Sequence, residues 1–241
     1  MVQHLPSLKN ALLTVAKRPA PGRTKTRLTP PLSPDQAAAL YECFLLDTLE
    51  MMRRVPNTQP IIAYLPQEAE PYFTELAPDF ERILQQGQDL GTRLDHALNH
   101  YLRLGYQHVA IMNSDSPTLP IDHLVAAFEA LAGEADVVLG PSEDGGYYLI
   151  GLKRPAPRLL RGVRMSTPTV AADTLALAKE EGLQVESLPT WYDVDDADAL
   201  ARLATELAQI STDVARHTRT FFALNKGIVT PVPLSAYMDT T

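Results

Sequence analysis

Apolar runs with strand character alternate along the chain with stretches whose apolar residues recur at helical spacing. That is the pattern of a mostly parallel sheet covered on both faces. The first predicted strand is "ALLTVA", Ala11 to Ala16. Further on, Ser33, then Pro34, then Gln36 three places after the serine, marks a helix start. The two polar side chains cap each other's backbone N–H, and proline gives up an N–H that a first turn does not use. The predicted buried stripe of this helix is Leu40, Tyr41, Phe44, Leu45, Thr48, Leu49 and Met52. "PIIAYLP", Pro60 to Pro66, reads as a second strand, and "QEAEPYFTELA" as a helix interrupted near Pro71. "TRLD" from Thr92 is a second capping box, opening a helix with Leu94, Ala97, Leu98, Tyr101 and Leu102 on one face. "HVAIMNSD", His108 to Asp115, is a strand that runs into the turn cluster "SDSPTLP". A short helix then precedes strands "DVVLG", Asp136 to Gly140, and "YYLIGL", Tyr147 to Leu152, separated by "PSEDGG". "TPTVAADTLALAKEEG" reads as a helix with proline near its start and glycine after its end, "LQVESLP" as a strand, and "TWYDVDDADALARLATELAQI" as a loop and a helix. The C-terminal stretch, with "RTFFALNKG" and "TPVPLSAYMDTT", has no clear period. The expected organisation is a body, residues 1–205, and an appendage, 206–241, packing on the body or on a second subunit as a homodimer.

Composition narrows the partners. At 241 residues, 45% hydrophobic and 21% charged, the chain is that of a globular protein able to bury a sizeable core. A net charge of -8 repels a polyanion over most of the surface, so nucleic acid is not the expected partner. No stretch approaches the roughly 20 apolar residues of a membrane span, and the one cysteine, Cys43, has no partner for an intrachain disulfide. The expected setting is the cytoplasm. Mid-helix between Glu42 and Phe44, Cys43 reads as a packed small hydrophobe and not as a nucleophile.

Against that acidic background one loop stands out. "KRPAPGRTKTRLTP", Lys17 to Pro30, places five basic residues directly after the first strand, and ligands of α/β sheets collect beyond the strands' carboxyl ends. Arg23, Lys25 and Arg27 alternate, so an extended segment would point them to one side as a diphosphate clamp, with Gly22 admitting close approach of the backbone. The alternative is a solvated surface loop. Asp115 follows the central strand, and Asp193 and Asp195 flank Val194; carboxylates so placed suit Mg2+ or Mn2+, whereas helix capping is the competing role for the late acids and the preferred one for Asp196 and Asp198. In "EDGGYYLIGL", Gly145 and Gly146 make a turn and allow close approach to a ligand, while Glu143 or Asp144 is a general base, a metal ligand or a solvated acid. "GQDLGTRL", with Gly87, Asp89, Gly91 and Arg93, is either a loop that meets a nucleobase or ribose or a capped turn.

Taken in order, "AKRPAPGRTKTRLTPPL", "GQDLGTRL", "NSDSPTLP", "GPSEDGGYYLIGL" and "WYDVDDADAL" resemble the bacterial DUF2064 proteins over about residues 11 to 205. That family comprises glycosyltransferase-A-like nucleotide-diphospho-sugar transferases, some of them named for arsenosugar biosynthesis. More distantly the chain is similar to 2-phospho-lactate guanylyltransferase, which shares a "KTRL" loop, a "DxP" turn, a "DGG" turn and a late "DxD". The resemblance implies a GT-A-like three-layer α/β/α fold with a mostly parallel sheet. It implies phosphate contacts from Lys25 and Arg27, and a divalent metal on Asp115, Asp193 and Asp195. The expected activity is metal-dependent glycosyl transfer from a nucleotide sugar to a small-molecule acceptor. The alternative is nucleotidyl transfer from an NTP with release of pyrophosphate. Two departures stand out: "KRPAPGRTKTRL" takes the place of the glycine-rich "GxGxRM" loop of many sugar nucleotidyltransferases, and "SDSP" stands where a two-aspartate motif is expected.

Overall fold

The computed structural model describes residues 8–228. Strands β1 (Asn10–Lys17), β2 (Thr58–Leu65), β3 (Glu81–Leu84), β4 (His108–Met112), β5 (Val137–Pro141), β6 (Tyr147–Leu152) and β7 (Val185–Ser187) form one sheet in the order β3-β2-β1-β4-β6-β5-β7. All neighbours run parallel except β6, which is antiparallel to both β4 and β5. The helices are α1 (Pro34–Arg53), α2 (Glu70–Leu76), α3 (Leu90–Arg103), α4 (Ile121–Ala132), α5 (Pro157–Arg161), α6 (Val170–Glu180), α7 (Ala197–Leu207) and α8 (Arg216–Leu224). The described chain divides into two compact units, the first made of 8–18, 52–113 and 120–191, the second of 19–51, 114–119 and 192–228.

The first unit is a helix–sheet–helix sandwich. Ala11, Leu13, Ile61, Ala63, Val109, Ile111, Leu139 and Ile150 alternate toward one face and pack against α3, α5 and α6. Gly151 looks the other way, where a Cβ would meet Leu131 of α4 at 3.0 Å, and Tyr64 meets Phe73 of α2 on that side. This is the expected mixed α/β fold with three layers.

In the second unit, α1 begins as its sequence requires: Ser33 N–H donates to Gln36 Oε1 at 2.9 Å and Gln36 N–H to Ser33 Oγ at 3.2 Å. All seven residues of the predicted stripe are buried. Ser33→Ala is expected to cost about 1 kcal/mol, lowering the melting midpoint by about 2–4 °C; a thermal scan unchanged within error would show that the reciprocal cap contributes nothing.

Several elements differ from expectation. Pro71 does not interrupt a helix; it stands in the first turn of α2, behind a 3-10 turn at Gln67–Ala69. The cap of α3 is Asp89, whose carboxylate accepts from Thr92 N–H at 2.7 Å, so the helix starts before the "TRLD" box. Strand β3 and helix α5 arise in stretches with no periodic signal. "RTFFALNKG" likewise carries most of α8, whose burial rests on Thr218 and Phe221. The "TPVPLSAYMDTT" stretch lies outside the described residues. Among these, no helix is long and apolar enough to cross a membrane. Burial pushes the Cys43 thiol up to about 11, with Asp47 and Glu42 adding to it, which makes it a poor thiolate nucleophile.

Candidate active site

The basic loop is not extended. Arg23 and Thr24 N–H both return to Ala20 C=O, Lys25 adopts the left-handed conformation at φ 49°, and Thr26–Leu28 closes a 3-10 turn that buries Leu28. Burying Leu28 folds the segment over, so the alternation of Arg23, Lys25 and Arg27 does not put them on one side. Arg23 and Arg27 stay exposed, and Gly22 sits in the preceding turn at φ 70°. Lys25 turns inward until its side chain is only 7% exposed.

There the Lys25 ammonium meets three oxygens. Nζ lies 2.6 Å from Asp115 Oδ1, 2.7 Å from Asp195 Oδ1 and 2.9 Å from the Val194 carbonyl. Burial alone would lower its pKa, but the two carboxylates outweigh that and the net shift is upward, so the ammonium stays charged. Arg27 Nη1 approaches Asp195 Oδ2 at 4.0 Å from an exposed position, an ion pair of small energetic weight.

The two acid-bearing segments are held together by the backbone, Val194 N–H donating to Asp115 C=O at 2.9 Å. A partly buried polar cluster reinforces the link. Tyr192 Oη and Thr118 Oγ1 both donate to Glu206 Oε2 of α7, and the Arg202 guanidinium lies 3.9 Å over the Tyr192 ring. Burial foremost, and the Glu206 charge behind it, pushes the Tyr192 phenol upward, so it remains a donor. On the other flank, Tyr41 Oη and Ser114 Oγ pair at 3.0 Å. These supports were not singled out from the sequence. The available signal was their place in the motifs, Thr118 three residues after Asp115 and Tyr192 directly before Asp193.

Lys25, Asp115 and Asp195 thus come together, all within the second unit. Val194 between the late acids is fully buried while Asp193 and Asp195 are partly exposed. Asp193 does not complete a three-carboxylate cluster. Among the described residues the group of three acids or histidines with ligand atoms all within 4.8 Å is Asp47, Glu50 and His217. Its oxygens are engaged by α8: Asp47 accepts from His217 N–H, Thr218 N–H and Thr218 Oγ1 at 2.6–2.9 Å, and Glu50 pairs with His217 and Arg216. That constellation is a clasp on a helix N-terminus. Asp196 caps α7 by accepting from Ala199 N–H at 2.9 Å, and Asp198 stands in its first turn, the roles expected for both.

The remaining candidates belong to the first unit. Asp144 Oδ1 accepts from Gly146 N–H at 2.8 Å, and Ser142 and Gly146 close the β5–β6 turn, so the hairpin role of "EDGG" is built. Glu143 N–H donates to Trp191 C=O at 3.0 Å. At Gly145 the close approach that the glycine pair was expected to offer a ligand is made by the chain itself. A Cβ on Gly145, at φ 85°, would lie 1.8 Å from Pro168 O, and one on Gly91 2.1 Å from Leu160 O. Arg93 donates to the carbonyls of Gly87 and Gln88, bracing the loop that Asp89 caps.

Comparison with known proteins places this geometry. The family model described as "Uncharacterized protein conserved in bacteria (DUF2064)" matches residues 48–167. A crystal structure from Desulfovibrio desulfuricans G20, provisionally designated a nucleotide-diphospho-sugar transferase, is 32% identical and covers 92% of this chain and 96% of its own, with a TM-score of 0.85. The chain belongs to the DUF2064 family. No curated protein matches it. At the level of fold it is similar to a cytidylyltransferase from Leptospira borgpetersenii serovar Hardjo-bovis (13% identity, 94% and 98% coverage, TM-score 0.56). It is also similar to a CMP:2-keto-3-deoxy-manno-octonic acid synthetase solved with CTP (12%, 83% and 99%, 0.55). Like the Desulfovibrio relative, the DUF2064 chain has the architecture of a transferase enzyme.

Proposed function

We propose that this DUF2064 protein transfers a glycosyl group from a nucleoside-diphosphate sugar to a small-molecule acceptor, with the diphosphate held at Lys25, Asp115 and Asp195. The observation that carries the reading is the convergence of an inward-turned lysine with carboxylates from two distant segments. The designation of the Desulfovibrio relative supports the donor class.

Three hard oxygens around one cation-sized position also fit Mg2+ or Mn2+, with Asp115 and Asp195 as its protein ligands and Asp193 as a further acid close by in sequence. Such an ion would supply charge neutralisation of the departing diphosphate. Lys25 contributes in the same sense. A cation about 4 Å from one phosphate charge gains about 4 kcal/mol at an effective dielectric near 20, before desolvation is subtracted. Arg23 and Arg27, exposed on the same loop, add longer-range attraction for the polyanionic donor.

The test is a thermal-shift panel of nucleotides and sugar nucleotides with and without Mn2+, followed by product analysis. A sugar nucleotide that raises the midpoint and is turned over to nucleoside diphosphate supports the proposal. The second reading, nucleotidyl transfer, draws on the cytidylyltransferase folds and the CTP complex among the neighbours. Pyrophosphate released from an NTP and a phosphorylated acceptor, with sugar nucleotides inert, would replace the first reading by the second.

A further inference from the structure

The two roles assigned to this site compete for the same atoms. Lys25 is proposed to meet phosphates and Asp115 and Asp195 to hold a divalent ion, yet Lys25 Nζ stands at the point on which both carboxylates and the Val194 carbonyl converge. An ammonium nitrogen 2.6 and 2.7 Å from two carboxylate oxygens leaves no room between them for a second cation. Nor is the position incidental. The αL backbone of Lys25, the 3-10 turn that follows it and the Phe44 ring 5.9 Å from Nζ direct the side chain inward, where it is 7% exposed.

We infer that Lys25 is an internal occupant of the cation site: it neutralises Asp115 and Asp195 while the protein is empty and gives them up when a divalent ion and a diphosphate enter together. The inference rests on the reading of Asp115 and Asp195 as metal ligands. It adds that metal and nucleotide bind with mutual reinforcement, because the phosphates offer the displaced ammonium new partners. Lys25 has the reach for such an exchange. Its four-carbon stem rotates freely once the head group is released, whereas a planar guanidinium would be held in a bidentate grip. The half-exposed flank of Asp195, 43% by side chain, gives an incoming ion access from water. No bond is made or broken in the exchange.

Lys25→Met tests this by direct Mn2+ binding, measured by calorimetry or by the free-Mn2+ electron paramagnetic resonance signal without nucleotide. Removing the competing charge is expected to tighten Mn2+ binding by at least about tenfold. Lys25→Met with Asp195→Asn should lose that gain. In the wild type a nucleoside diphosphate should strengthen Mn2+ binding, and in Lys25→Met this coupling should shrink. A second measurement uses the unaltered protein. Lysine acylation read by mass spectrometry should find Lys25 protected in metal-free buffer and labelled faster with Mg2+ and a nucleoside diphosphate. Mn2+ binding in a folded Lys25→Met protein that is equal to or weaker than wild type, or Lys25 labelling indifferent to metal and nucleotide, would overturn the inference. Neither readout uses a sugar donor. A donor panel without turnover, beside intact competition, would therefore count against glycosyl transfer alone.

Discussion

Asp115→Asn is expected to lower turnover of the donor by about 10²–10³-fold, the usual effect of deleting one electrostatic contact to developing charge. The readout is release of nucleoside diphosphate under saturating Mn2+. Asp115 provides a carboxylate oxygen 2.6 Å from the cation position and, through its carbonyl, the backbone bond that aligns Val194 and Asp195. Asparagine keeps the backbone bond and the side-chain volume, so the variant isolates the charge. Lys25 keeps Asp195 and the Val194 carbonyl, and the protein should stay folded with a modest fall in its melting midpoint. A variant within about threefold of the wild-type rate, well inside the loss of one such contact, would remove Asp115 from the chemistry.

The largest expected effect on stability is at Asp47. This carboxylate lies in a residue 6% exposed and accepts from two backbone N–H groups of the first turn of α8 and from the Thr218 hydroxyl, with Thr218 itself fully buried. Burial alone raises its pKa, more than the three hydrogen bonds lower it, so the net direction is upward. Asp47→Ala leaves those three donors without acceptors in a dry setting at about 1–3 kcal/mol each before relaxation. The net loss should be about 3–5 kcal/mol, or about 6–20 °C in melting midpoint. Hydrogen exchange should show protection lost first in α8, whose first turn is then tied to α1 through the more exposed pairs of Glu50 with Arg216 and His217. A midpoint unchanged within about 1 °C, against the several degrees expected for buried unsatisfied donors, with α8 still protected, would show that other contacts hold the helix.

The clasp also explains why the C-terminal stretch was hard to read in advance. "RTFFALNKG" has few apolar residues to set a period, and α8 starts where a carboxylate from a distant helix receives its first N–H groups. Local sequence contains no trace of a cap supplied in trans. Strand β3 escaped for a related reason: four residues, partly exposed at the edge of the sheet, show neither alternation nor an apolar run. By contrast, the Ser33–Gln36 box, the apolar stripe of α1, strand β6 at Tyr147–Leu152 and the Asp196 cap depend on neighbours within a few residues, and all were legible.

The active-site candidates divide in the same way. Residue types and order along the chain pointed to Lys25, Asp115 and Asp195 and to the family, because hard oxygens and cations beside one another are the chemistry of diphosphates and sequence lists them directly. Their arrangement was decided by packing. Leu28 had to be buried, which folded the basic loop and turned Lys25 alone inward, and the bond from Val194 to Asp115 chose which late aspartate meets it. Gly145 reads from sequence as admitting close approach of a ligand, and only the folded chain shows the Pro168 carbonyl in that space. Periodicity and capping are local and leave their mark in the sequence. Which charge meets which is settled by segments some 170 residues apart, once the interior has closed around them.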